Sequence, residues 1–212
     1  MSSEAVVDLY ERHAADFDRD RSRTLRERAW LERFTAHVRP GGTVLDIGCG
    51  MGEPIARHLR NAGFRVVGVD SPRSMIRLCE TRFPDGQWIE ADMRQLALGR
   101  RFDGLLAWDS FFHLHTDHQG PMFPRFARHA APGAPLMFTS GPARGEAIGS
   151  YCDEPLYHAS LAPSEYEALL SANGFDVLAY VAEDPECGRH TVWLARLRPD
   201  SVTTDAGQTV RP

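Results

Sequence analysis

The sequence predicts an α/β fold, a three-layer doubly wound sheet of seven strands, and three observations carry that reading. Short, largely apolar runs such as Val44–Ile47 have the composition of strands buried on both faces of a parallel sheet. These runs alternate with segments of three- and four-residue periodicity, the pattern of βαβ units. The chain then closes with two strand-like runs, Phe175–Val181 and Thr191–Leu197, near enough in sequence to be antiparallel neighbours.

Taken in order, residues 4–38 read as helical. Val6, Val7, Leu9 and Tyr10, and then Trp30, Leu31, Phe34 and Val38, recur at helical steps, and the charged run Asp16–Arg21 between them is expected to be a break. Pro40-Gly41-Gly42 stops this region. After strand Val44–Ile47, a helix is expected over about 53–62 and a strand over Arg65–Asp70. Ser71-Pro72 reads as a helix start, with a hydroxyl cap and proline at the first position. Strands Gln87–Asp92 and Phe102–Asp109, a helix over about 117–130 and strand Leu136–Thr139 follow. Residues 140–162 read as an irregular loop, and a helix from Pro163-Ser164 ends at Asn173-Gly174. Residues 199–212 lack any sizeable apolar content and are expected to be a disordered tail.

Composition narrows the class. With 212 residues and 42% hydrophobic content, the chain can bury one substantial core. A net charge of -5 offers no electrostatic case for nucleic acid or an anionic membrane. No run approaches the length of a membrane span, and Met1-Ser2-Ser3-Glu4 has no leader pattern, so a cytoplasmic protein is expected. Cys49, Cys79, Cys152 and Cys187 are too scattered for a zinc ribbon or a disulfide framework. All 24 basic residues are arginine, which excludes Schiff-base chemistry and a P-loop lysine.

Ligands in doubly wound sheets bind beyond the carboxyl ends of the strands, so the turns there carry the chemistry. Glycines at 48, 50 and 52 allow positive φ and close backbone approach. The dinucleotide fingerprint would need Gly or Ala at 53, where Glu53 stands, and a glutamate at that point would repel a pyrophosphate. Asp46, Asp70 and Asp92 stand at the ends of three successive strands. Together they suit an adenosine joined to a cationic amino acid: one acid for an ammonium, one for a ribose diol, one for an exocyclic amine.

On these residues the chain resembles the class I S-adenosylmethionine-dependent methyltransferases of the small-molecule type, over about residues 5–198. VLDIGCGMGEP matches the first family motif, VVGVD the second and ADM the third, and FDGLLAWDSFFHL sits where the fourth falls. The resemblance implies a Rossmann-like methyltransferase fold with strand order 3-2-1-4-5-7-6, strand seven antiparallel. It implies one domain over 1–198, with an N-terminal helical cap (1–39) and an acceptor lid loop (143–162). The cofactor would be S-adenosyl-L-methionine, leaving as S-adenosyl-L-homocysteine. Asp46 and the Gly48-Cys49-Gly50 backbone would hold its methionine end, and Asp70 its ribose. Asp92 and Met93 would read the adenine, with Ser71 and Met75 packing beneath it and Trp108 contacting the methionine moiety. Tyr10, Ala14 and Arg21 match the family's cap pattern, while Phe17 replaces a common tyrosine.

The function implied is methyl transfer to a small-molecule acceptor by in-line displacement. The alternative is a cofactor-binding protein of the same fold that is non-methylating or catalytically silent. His113 is the candidate general base, oriented or assisted by Asp109, with Ser110, Tyr157 and His158 as candidate acceptor contacts. Three histidines at 113, 115 and 118 across one junction are not expected to share a metal ion.

Overall fold

A computed structural model describes residues 4–199, so the expected tail beyond lies outside the described residues. The chain begins with α1 (Glu4–Arg12), α2 (Ala14–Asp20) and α3 (Arg28–Thr35). The run Asp16–Arg21, expected as a break, is mostly helical. Its charges are neutralised sideways: Asp16 pairs with Arg19, and Asp18 with Arg23 and Arg82. The true break is the stretch between Asp20 and Arg28.

The central units are β1 (Thr43–Ile47), α4 (Ile55–Asn61), β2 (Arg65–Asp70), α5 (Arg73–Arg82), β3 (Gln87–Glu90) and β4 (Gly104–Ala107). They are followed by α6 (Thr116–Gln119), α7 (Met122–His129) and β5 (Pro135–Ser140). The helix expected over 117–130 is thus two, divided at Gly120-Pro121, where proline removes a backbone donor. The expected Ser71 cap is also corrected. Pro72 occupies the cap position of α5, and the Ser71 hydroxyl instead donates to the Ala91 carbonyl at 3.4 Å.

Residues expected as a lid loop form a second sheet, the hairpin of β6 (Gly145–Tyr151) and β7 (Glu154–Ser160). Its two-residue turn, Cys152-Asp153, has positive φ at both positions, the geometry of a tight hairpin without the glycine that usually announces one. The hairpin is held by tertiary contact: Leu156, Tyr157 and Ala159 pack on Val6 and Leu9 of α1. The chain finishes with α8 (Pro163–Ala172), β8 (Phe175–Asp184) and β9 (His190–Leu197).

The main sheet has the order β3-β2-β1-β4-β5-β9-β8. Pairing is parallel from β3 to β5, and β9 runs antiparallel to both β5 and β8. Setting the hairpin aside, this is the order 3-2-1-4-5-7-6 implied by the resemblance. Trp30, Leu31 and Phe34 of α3 and Leu59 of α4 cover one face. Phe123 and Phe126 of α7 and Tyr166 and Leu170 of α8 cover the other. Gly104 lets α3 approach closely, since a Cβ there would lie 2.8 Å from Phe34 Cζ. This packing holds the β1, β2 and β4 carboxyl ends side by side.

Candidate active site

The turn after β1 is built around φ angles of 78°, 53° and 80° at Gly48, Gly50 and Gly52. Gly48 is doubly constrained, because a Cβ on it would meet the Ser110 Cβ at 2.2 Å. Gly50 faces open space, with only a Phe17 ring carbon at 3.6 Å. Asp70 holds the turn from below. Its carboxylate accepts from the Gly50 amide at 2.6 Å and the Ser71 amide at 2.8 Å. Glu53 pairs with Arg57 and Arg23, and the Glu53–Pro54 peptide is cis.

A single cleft lies over this turn. All ten residues expected to hold the cofactor line it: Asp46, Gly48, Cys49, Gly50, Asp70, Ser71, Met75, Asp92, Met93 and Trp108. The α1–α2 region supplies Val6, Val7, Tyr10 and Phe17, and Arg21 follows from the next turn.

Four aspartates line the cleft, of which Asp92 and Asp109 pair with arginines while Asp46 and Asp70 have no cationic partner among the described residues. Asp46 is only 3% exposed, and no described residue hydrogen-bonds its carboxyl. Burial and the nearby Asp70 charge push its pKa up to about 7. Burial likewise raises Asp70 to about 6, opposed by the Gly50 and Ser71 amides. Neither Asp46 nor Asp70 pairs with a cation among the described residues, which fits a ligand that brings positive charge. Asp92 differs: it caps the short turn at Met93–Gln95 and pairs with the Arg94 guanidinium at 2.7 Å. Any adenine-reading role is therefore shared with an arginine that also lines the cleft.

The residues after β4 fall into distinct roles. His113 lines the cleft, and its Nδ1 donates to the Tyr157 carbonyl at 2.8 Å. That bond assigns the ring tautomer, leaving Nε2 as an acceptor 3.5 Å from the Tyr10 hydroxyl. Burial pushes the His113 pKa down to about 4. Asp109 does not orient it, contrary to expectation. Its carboxylate instead lies between Arg21, at 3.3 Å, and His190 of β9, at 2.9 Å. Burial would raise the Asp109 pKa, but the His190 and Arg21 contacts hold it below the ordinary carboxylate value.

The other acceptor expectations are redistributed. Ser110 lines the cleft, and its hydroxyl donates to the Ile47 carbonyl at 2.7 Å, tying the turn after β4 to β1. Tyr157 offers its carbonyl, while its ring is buried beside the cap. His158 lines a neighbouring cleft with Phe112, Glu146, Ser160 and His190, and Asp109 borders both clefts. Arg94 and His190 were not picked out by sequence reasoning. His190 carried no signal, because its partner lies 81 positions away (109 to 190).

Residues 44–133 match the family described as a methyltransferase domain. A trans-aconitate 2-methyltransferase from Azoarcus sp. (strain BH72) is 36% identical over 95 residues, 44% of this chain and 37% of that protein. A dTDP-3-amino-3,6-dideoxy-alpha-D-glucopyranose N,N-dimethyltransferase from Streptomyces fradiae is 30% identical over 129 residues, 60% of this chain and 49% of its own. The chain thus spans about half or less of the length of these two curated relatives. Among solved structures, an S-adenosylmethionine-dependent methyltransferase from Clostridium acetobutylicum ATCC 824 has a TM-score of 0.70 at 15% identity, covering 90% of this chain and 99% of that one. A Burkholderia thailandensis 1,6-didemethyltoxoflavin-N1-methyltransferase, solved with 1,6-didemethyltoxoflavin and S-adenosylhomocysteine, has a TM-score of 0.68 at 22% identity, covering 90% and 84%. The family match falls on the region that carries the motifs, and the solved structures share the expected fold.

Proposed function

We propose that this chain, with the fold of the class I S-adenosylmethionine-dependent methyltransferases and a methyltransferase-domain match over residues 44–133, transfers a methyl group from S-adenosyl-L-methionine to a small molecule. One observation carries the reading. Asp46, buried, and Asp70, half-buried, face the same cleft at a glycine turn, and neither has a cationic partner among the described residues. The donor's ammonium and sulfonium charges would offset those acids, and its ribose diol would complete the acceptor capacity of Asp70. Relatives acting on trans-aconitate and on an amino sugar nucleotide support a small-molecule acceptor.

Bound there, S-adenosylmethionine supplies an electrophilic methyl group suited to in-line displacement. The chain's own contribution is positioning and exclusion of water. Val6, Val7, Tyr10, Phe17 and Leu114 supply the apolar and aromatic wall of the cleft. His113 Nε2 stays unprotonated at neutral pH and accepts a hydrogen bond from the acceptor's O–H or N–H. With a pKa near 4 it aims the acceptor's lone pair and is too weakly basic to hold a full proton. His158, also with a pKa lowered by burial, extends this polar edge into the neighbouring cleft.

Calorimetry with S-adenosylmethionine, S-adenosylhomocysteine and NAD tests the reading. Micromolar binding of the first two alone is expected, with transfer of labelled methyl into a metabolite mixture. Binding of NAD alone would overturn it. Cofactor binding without any methylated product would favour the silent-binder alternative.

A further inference from the structure

We propose that His13, Asp16 and Cys152 form a binding site for a divalent zinc-class metal ion that pins the β6–β7 hairpin to the N-terminal cap. The three residues come from two distant segments. His13 joins α1 to α2, Asp16 lies in the first turn of α2, and Cys152 sits in the hairpin turn. One ligand atom from each lies within 4.8 Å of the other two. His13 Nδ1 is 3.3 Å from Asp16 Oδ2, close to the spacing that two ligands about 2 Å from a common tetrahedral ion adopt.

The surroundings suit that chemistry. His13 Nε2, the nitrogen facing away from Asp16, lies 2.7 Å from Glu154 Oε1. A metal-bound imidazole commonly donates its second N–H to a carboxylate, which fixes the ring and raises its basicity. Glu154 is in turn neutralised by Arg12, and the second oxygen of Asp16 is held by Arg19 at 2.7 Å. A thiolate and a carboxylate carry two negative charges, matching a divalent ion. On binding, the thiol proton and the Nδ1 hydrogen leave to solvent, and water completes the fourth position.

A plain ion-pair cluster would account for His13 between two carboxylates. It gives no reason for a thiol at the same point. A thiolate, an imidazole and a carboxylate form a borderline-soft donor set that selects zinc-class ions over magnesium or calcium. Cys152 reaches this point because it occupies one of the two positive-φ positions of the hairpin turn, at φ 49°.

The placement has a consequence for access to the cleft. Tyr151 packs against Tyr10 and Phe17, with ring centroids 6.1 Å apart in each case. Tyr10 and Phe17 both line the cleft. A metal joining Cys152 to His13 and Asp16 would hold this aromatic cluster shut over its rim.

Cobalt(II) is the probe. The full chain, stripped of metal with a chelator, is titrated with Co²⁺ and followed by absorbance. One equivalent of tetrahedral Co²⁺ is expected, with d–d bands and a thiolate-to-cobalt charge-transfer band. Cys152→Ser should abolish the charge-transfer band, His13→Gln should weaken binding by tenfold or more, and Cys187→Ser should change neither. Circular dichroism on each variant establishes that it is folded. The proposal is overturned if the wild-type chain gives no thiolate band, or if the band survives in folded Cys152→Ser protein. The readout requires neither S-adenosylmethionine nor turnover, so it stands or falls separately from the methyltransferase reading.

Discussion

The Asp109 carboxylate meets the His190 imidazole at 2.9 Å, joining the turn after β4 to the start of β9, and Arg21 of the cap region closes on the same carboxylate. Asp109 holds this place in the left-handed region, at φ 49°, which aspartate and asparagine tolerate better than most residues. The cap, the β4 turn and the far strand therefore converge on one half-buried charge beside the cleft.

Asp109→Asn should keep the backbone and lose the ion pairs, costing about 1–3 kcal/mol of stability. The pH signs differ for the two partners. The depressed Asp109 pKa contributes stability that is present above its ordinary 3.8 and is lost as pH falls through the lower folded value. The raised His190 pKa contributes stability that is complete below 6.5 and is lost as pH rises through its folded value. The wild-type advantage over Asp109→Asn, measured by urea denaturation, should thus be largest between about pH 4 and 6.5. An advantage that does not vary with pH would dissolve this account of the clamp.

Asp46 gives the opposite signature in the ligand-free protein. Its folded pKa is raised from 3.8 to about 7, so its contribution is complete below 3.8 and is lost as pH rises through 7. Between pH 5 and 8, Asp46→Asn should gain about 3 kcal/mol relative to wild type. Denaturation curves at those two pH values provide the check, and equal differences at both would mean that Asp46 is solvated.

Asp70→Asn should weaken S-adenosylmethionine by about 1–3 kcal/mol, since it removes charge-assisted bonds and loosens the Gly50 amide. Calorimetry reads this directly. Undiminished affinity would displace the ribose assignment.

Two glycine substitutions should separate folding from binding. Gly48→Ala forces a contact with Ser110, a residue tethered to β1, and should cost about 2–5 kcal/mol of stability. Gly50→Ala adds its methyl to open space in the cleft, so about 1–2 kcal/mol of backbone strain should accompany a larger loss of cofactor affinity. Thermal melts and calorimetry on both variants distinguish the effects, and equal stability losses would contradict the geometry.

His113→Ala should lower kcat by about 10- to 100-fold, the size of one lost buried acceptor. The kcat–pH profile between 5 and 8 should keep its shape in His113→Gln, because the wild-type ring titrates near 4. An acid limb in that range that vanishes with His113 would restore the general-base role.

The sheet was legible because its signals are local. Val44–Ile47 and Arg65–Asp70 are largely apolar runs whose burial on both faces follows from composition. The β6–β7 hairpin was not legible, because its turn lacks glycine and its register is set by β7 packing on Val6 and Leu9. The helical state of Asp16–Arg21 was hidden for a related reason: Arg82, 64 positions away, helps Arg23 neutralise Asp18.

By itself, then, the sequence determined the seven-strand fold and the residues that line the cleft at its strand ends. Glycine spacing and strand-end acids are backbone-scale features, and any chain adopting those strands brings them together. Only the tertiary structure decided what Asp109, Ser110, His113 and Tyr157 do. Asp109 turns to His190, Ser110 to Ile47, and His113 to the Tyr157 carbonyl. Each of those partners is at least 44 positions away, and a side chain's protonation and direction depend on the burial and charges that folding places around it.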